Sequence, residues 1–160
     1  MSGGSLSRRL AEAQAYSYRD DPAVPDFPDD KALIVFDGVC ILCSRLVKFA
    51  IERDPDARIR LCTAQSDLGQ ALFRHYGLNT ETYETNLVLA DGRAYGKLDS
   101  VAVVGRKIGG FWRLASAFTY LPRGLSDRLY DVVARKRYDL FGRAEACMIA
   151  RPEWRGRFLE

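Results

Sequence analysis

The chain has 160 residues, 48% of them hydrophobic, and a formal net charge of +3. That length supports one domain with a substantial core and is too short for two. Four cysteines are too few for a disulfide scaffold, no apolar run approaches the ~18 residues of a membrane span, and no signal-like segment opens the sequence, so a soluble protein of the reducing cytoplasm is expected.

Residues 1–30 read as a tail or linker. Leu6, Leu10 and Ala13 are spaced for a short helix, after which Pro22, Pro25 and Pro28 forbid regular structure. The Arg and Ser content has a transit-peptide flavour, but Glu12, Asp20 and Asp21 argue against one.

The stretch from Leu33 to Ser44 organises the rest of the chain. Leu33-Ile34-Val35-Phe36 is an apolar run suited to a strand covered on both faces. Gly38 turns the backbone. Cys43, Val47, Ala50 and Ile51 then recur at helical spacing, with Arg45, Lys48, Glu52 and Arg53 on the other side. Cys40 therefore falls at a helix N-terminus, where unpaired amide groups act like roughly half a positive charge and favour thiolate over thiol. Two intervening residues on a helical turn bring Cys43 within bonding range, so it can resolve a mixed disulfide formed on Cys40. Asp37 has two readings: it takes up a proton from a thiol, or it caps the turn. Its charge opposes the helix effect on Cys40, and the sequence leaves the net sign open.

Asp54-Pro55-Asp56 is a breaker, and Ala57 to Ala64 alternates as a second strand with Ile59 and Leu61 on one face and Cys62 on the other. Ser66 caps a helix that turns Leu68, Ala71, Leu72 and Tyr76 inward and stops at Gly77; His75, the sole histidine, is placed on its surface. A third strand covers Asn86 to Ala90, Asp91-Gly92 is a hairpin turn, and Arg93 to Lys97 returns antiparallel. Strand, helix, strand, helix, hairpin is the order of a thioredoxin-like mixed four-stranded sheet with flanking helices, an α/β fold. A C-terminal helical extension comes next. Asp99 or Ser100 caps a helix with Val101, Val104 and Ile108 inward, Gly109-Gly110 interrupts it, and a second helical segment runs from Phe111 to Phe118. The last helix spans about Leu125 to Tyr138, with Leu125, Leu129, Val132 and Val133 as its expected buried stripe and Arg128, Arg135 and Lys136 outside it. Trp112, Phe118, Tyr120 and Tyr130 read first as core and second as walls of an entrance to the dithiol.

Charge is uneven along the chain. Residues 1–30 hold three basic and six acidic side chains, 31–105 nine of each, and 106–160 twelve basic and six acidic. A solvated helix face is the ordinary reading; an acidic partner, a phosphate-bearing molecule or a membrane surface is the alternative. No nucleic-acid motif accompanies the charge, and without a Gly-rich nucleotide loop no organic cofactor is implied.

Asp37, Cys40 and Cys43 match the Asp-x-x-Cys-x-x-Cys signature of the DCC family of predicted thiol-disulfide oxidoreductases, which the chain resembles from about residue 31 to 150. Ser100 and Ala102 are similar to that family's Ser-x-Ala segment, and Tyr130, Arg137, Tyr138, Gly142 and Cys147 to its C-terminal pattern. The resemblance implies a thioredoxin-like domain over 31–150, a C-terminal tail at 151–160, catalytic roles for Cys40, Cys43 and Asp37, and a disulfide-bearing protein or small-molecule thiol as substrate. One departure concerns the cis-proline that ordinary thioredoxins place opposite the dithiol. No proline lies between Pro55 and Pro122, and Thr85-Asn86 stand at the start of the third strand instead.

Other readings of the same residues compete with exchange chemistry. Zinc binding gathers Cys40, Cys43, Cys62 and Cys147, although the last two are isolated rather than paired. Phe36-Asp37-Gly38-Val39 resembles the aspartate-nucleophile phosphotransferases, which need a second acid where Val39 stands. A Cys40–His75 hydrolase dyad is a further option. A redox sensor without turnover would pass oxidation of the thiols to a partner through the basic helices.

Overall fold

The structure, a computed structural model, describes residues 6–83, 85–143 and 152–159; Cys147 and the side chain of Phe118 lie outside the described residues. Four strands, β1 (Ala32–Phe36), β2 (Ile59–Thr63), β3 (Leu87–Ala90) and β4 (Arg93–Gly96), form one mixed sheet in the order β2-β1-β3-β4. β1 runs parallel to β2, with Ile34 opposite Leu61, and antiparallel to β3, with Ile34 opposite Val88. Asp91 and Gly92 close the β3-β4 hairpin at φ 52° and 77°, the left-handed pair that a two-residue hairpin requires. This is the thioredoxin-like arrangement that the element order predicts.

The apolar run of β1 is explained by its central place. Leu33 and Val35 face a core shared with Leu72, Leu87 and Leu89, while Ile34 and Phe36 face a second core shared with Val47, Ile51 and Leu61. Helix α3 (Asp67–His75) covers the first face, and α2 (Ile41–Glu52) and α4 (Lys97–Ile108) the second. Gly69 lets α3 approach closely, because a Cβ there would lie 2.2 Å from the Thr63 carbonyl oxygen. Helix α1 (Leu6–Glu12) and a 3-10 turn at Ser17–Asp20 also pack on the first face, burying Leu10, Tyr18 and Val24. His75 is not a surface residue: its Nε2 is 2.8 Å from Ser17 Oγ and its Nδ1 2.7 Å from Asp21 Oδ2. With both ring nitrogens engaged by the N-terminal segment, no dyad with Cys40 forms. At the other end of the chain Trp154 enters the second core, Leu159 N–H donates to the Leu61 carbonyl at 2.8 Å along the β2 edge, and Arg157 binds Asp54 at 3.1 Å.

The C-terminal helices depart from expectation in orientation. Helix α4 begins at Lys97 with Gly96 as its cap, so neither Asp99 nor Ser100 caps it, and Val101 is exposed while Ala102 and Val103 are buried. A 3-10 helix at Gly110–Tyr120 packs on α4 and sets Trp112 edge-on to Phe49 at 4.6 Å between centroids, but leaves Tyr120 exposed rather than in the core.

Helix α5 (Arg123–Phe141) is turned over. Leu125, Leu129, Val132 and Val133, expected to be buried, face solvent, with Leu129 and Val132 53% and 56% exposed. Ser126, Asp127 and Arg137 are buried instead. The domain presents polar partners to this helix: Lys97 Nζ reaches Asp131 at 2.8 Å and Asp127 at 4.0 Å, and the Tyr130 hydroxyl donates to Asn86 Oδ1 at 2.8 Å. A charge is buried only where it finds a partner, and these partners decide which side of α5 turns inward. Among the described residues no helix is long and apolar enough to cross a membrane.

Candidate active site

The first turn of α2 sets the dithiol. Cys40 is the N-cap in extended conformation (φ −78°, ψ 118°), its sulfur accepts the Cys43 backbone N–H at 3.4 Å, and its carbonyl accepts the Ser44 N–H at 3.0 Å. Both cysteines are free thiols. The Cys43 thiol also donates to the Cys40 sulfur, and chiefly for that reason Cys40 titrates at about 6, with the Cys43 amide and the Arg137 charge acting the same way against burial and Asp37. The same hydrogen bond, together with burial, pushes the Cys43 thiol far above the ordinary range. These effects favour ionisation of Cys40 over Cys43.

Asp37, at the end of β1, accepts four hydrogen bonds. Oδ1 takes the Val39 N–H at 3.1 Å and the Gln65 amide at 2.7 Å; Oδ2 takes Arg137 Nη2 at 3.4 Å and the Tyr138 hydroxyl. Gln65 Oε1 in turn accepts the Gly38 N–H at 3.1 Å, locking the turn that delivers Cys40. The Arg137 side chain, 4% exposed, also donates to the Thr82 carbonyl at 3.0 Å and lies over the Tyr138 ring, while its Nε has no hydrogen-bond partner among the described residues. A buried carboxylate beside a buried guanidinium is stable only as a pair. That pairing brings a positive charge into the field of both cysteines. Burial, and then the hydrogen bond to Asp37, raise the Tyr138 phenol above its ordinary value, so it remains a proton donor to the carboxylate.

Access is asymmetric. Cys40 is 0% exposed and Cys43 half-buried. The chain leaving α5 lies over Cys40, which forms an isolated antiparallel bridge with Arg143, and a Cβ on Gly142 (φ 83°) would meet Ile41 at 3.5 Å. A cavity of about 250 Å³ on the flank of α5 is lined by Arg9, Asn79, Thr85, Lys97, Asp131 and Arg135 among others, and includes neither cysteine.

The structure brings Asp37, Cys40 and Cys43 together, as their spacing predicts. Cys62 lies elsewhere: it is buried in the core of the opposite sheet face, its sulfur 3.0 Å from Ser66 Oγ, whereas Cys43 packs on the other core. The sheet thus separates Cys62 from the dithiol. Thr85 accepts the Lys97 N–H at 3.2 Å, and Asn86 is tied to Tyr130, a phenol raised to about 12 chiefly by burial and placed in the field of Cys43. Gln65 gave no signal in sequence, and Arg137 and Tyr138 stood only as part of a C-terminal pattern.

The sequence model of the DCC1-like thiol-disulfide oxidoreductase family matches residues 34–143. The chain is 38% identical over 127 residues to the uncharacterized protein YuxK of Bacillus subtilis (strain 168), covering 79% of this chain and 93% of that protein. It is 32% identical over 120 residues to the DCC family protein At1g52590, chloroplastic, of Arabidopsis thaliana, covering 74% and 70%. No solved structure matches. The matched span starts in the strand that ends at Asp37 and stops at the arginine bridged to Cys40: the chain belongs to the DCC1-like thiol-disulfide oxidoreductase family.

Proposed function

We propose that the protein exchanges thiols and disulfides with Cys40 as nucleophile and Cys43 as resolving thiol. One observation carries this reading: the Cys40 sulfur, at the N-cap of α2, accepts the backbone N–H of Cys43, which sets both sulfurs on the first turn of one helix. The Cys40 thiolate attacks one sulfur of a substrate disulfide R–S–S–R′, forming a mixed disulfide with R′ and expelling R–S⁻. Cys43 then loses its proton and attacks the Cys40 sulfur, forming the Cys40–Cys43 disulfide and expelling R′–S⁻. Two electrons pass to the substrate, and the reverse sequence oxidises a substrate dithiol. Asp37 acts as a positioning residue, holding Gln65, Arg137 and Tyr138 around the turn. The substrate class is a disulfide-bearing protein or a small-molecule disulfide.

The test is a trap. Cys43→Ser is expected to accumulate a mixed disulfide through Cys40 that dithiothreitol releases, and the Cys40→Ser/Cys43→Ser variant none. Failure of Cys43→Ser to trap any cellular thiol or model disulfide overturns the reading. Catalytic reduction of a model disulfide over many cycles separates this reading from a sensor without turnover.

A further inference from the structure

The outward face of α5 is apolar where a surface helix is normally polar. Leu125, Leu129, Val132 and Val133 recur at i, i+4, i+7 and i+8, so they share one face, and all are exposed. The adjoining 3-10 helix adds exposed Phe111 and Leu114, and Tyr120 stands 88% exposed between the two segments. The charges sort the same way. Asp127 and Asp131 turn inward to Lys97 and Arg137 turns inward to Asp37, while Arg128, Arg135 and Lys136 remain exposed with Asp139 as the acid among them. Between Arg106 and Phe141 the chain carries eight basic and three acidic residues, and two of those acids are already paired inward.

We propose that this face is a docking surface for an anionic lipid bilayer. A helix with leucine and valine on one side and arginines at its flank lies in the interface plane, with its apolar side among the acyl chains and its cations at the headgroups, Lys136 extending from within the apolar side to reach them. Exposed Tyr120 suits the headgroup level, where tyrosine rings concentrate. Among the described residues the patch is the outer side of one helix, a convex surface rather than a groove. Self-pairing about a two-fold axis would bring Lys136, which lies on the leucine and valine face, and the flanking arginines into one interface with a second set of the same cations. A negatively charged bilayer meets both features with one surface. The inference does not depend on the dithiol chemistry, because no cysteine contributes to the face.

Co-sedimentation of the full chain with vesicles tests it, and the Cys40→Ser/Cys43→Ser variant can serve throughout. Partition is expected onto vesicles of phosphatidylcholine with phosphatidylglycerol, weakening at least tenfold on phosphatidylcholine alone and falling as salt is raised. Leu129→Gln/Val132→Gln and Arg128→Gln/Arg135→Gln are each expected to lower partition at least tenfold; both alter exposed side chains, and an unchanged circular dichroism spectrum verifies their fold. No partition onto anionic vesicles overturns the proposal. Equal partition by wild type and variants does so too. So does a concentration-dependent dimer in sedimentation velocity that Leu129→Gln/Val132→Gln abolishes, which assigns the face to a second copy.

Discussion

Two side chains act on the Cys40 sulfur through space in opposite directions, Arg137 lowering its pKa and Asp37 raising it. Asp37→Asn is therefore expected to move the pH midpoint of Cys40 modification by iodoacetamide below about 6, and Arg137→Met to move it up towards the ordinary thiol value of ~8.5. Arg137→Met also strands a buried carboxylate, at a cost of about 3–5 kcal/mol, part of which Asp37→Asn/Arg137→Met should recover in urea unfolding. The dithiol couples pH to stability with a definite sign. Cys40 is depressed in the fold, so its contribution is fully present above ~8.5 and lost as pH falls through about 6. Cys43 is raised, so its contribution is fully present below ~8.5 and declines above it. Reduced protein should thus gain stability from pH 6 to a maximum near ~8.5 and lose it beyond; Cys40→Ser/Cys43→Ser should flatten that rise. Asp37, Cys40 and Cys43 were legible in sequence because one short turn contains them. Gln65 and Tyr138 reach Asp37 from 28 and 101 positions away, a distance no local pattern reports.

Among the elements, β1 was readable because a central strand buried on both faces leaves an uninterrupted apolar run. Helix α5 was readable as a helix and misread in orientation. Periodicity locates two faces; which one is buried depends on partners contributed by Lys97, Asn86 and Asp37, all remote in sequence. Substitutions on the two sides should differ accordingly. Leu129→Gln is expected to change unfolding free energy by less than about 0.5 kcal/mol, whereas Tyr130→Phe, which removes the donor to Asn86, should cost about 1 kcal/mol. Equal losses would mean that α5 buries its leucines after all. Gly69→Ala, forcing a Cβ onto the Thr63 carbonyl, is expected to cost about 1–3 kcal/mol, read from the same urea titrations.

At the level of the whole molecule, both ends of the chain complete the sheet. Removing residues 1–30 uncovers the face that Leu10, Tyr18 and Val24 seal and should cost on the order of 5 kcal/mol, seen as a lower urea midpoint. The proline-rich composition of this segment hid that role, since Leu6 and Leu10 signalled only a short helix and Tyr18 and Val24 extend no periodic pattern. At the active site, separate parts of the molecule govern two properties that usually travel together. The first turn of α2 favours the Cys40 thiolate, while the same residue is fully buried and its backbone is bridged to Arg143. Its reactivity should therefore saturate as reagent concentration is raised, at the rate at which the Cys40–Arg143 bridge opens. Peroxide would find this anion slow to oxidise, and a substrate able to prise that latch open would gain a selectivity that sulfur chemistry alone does not supply.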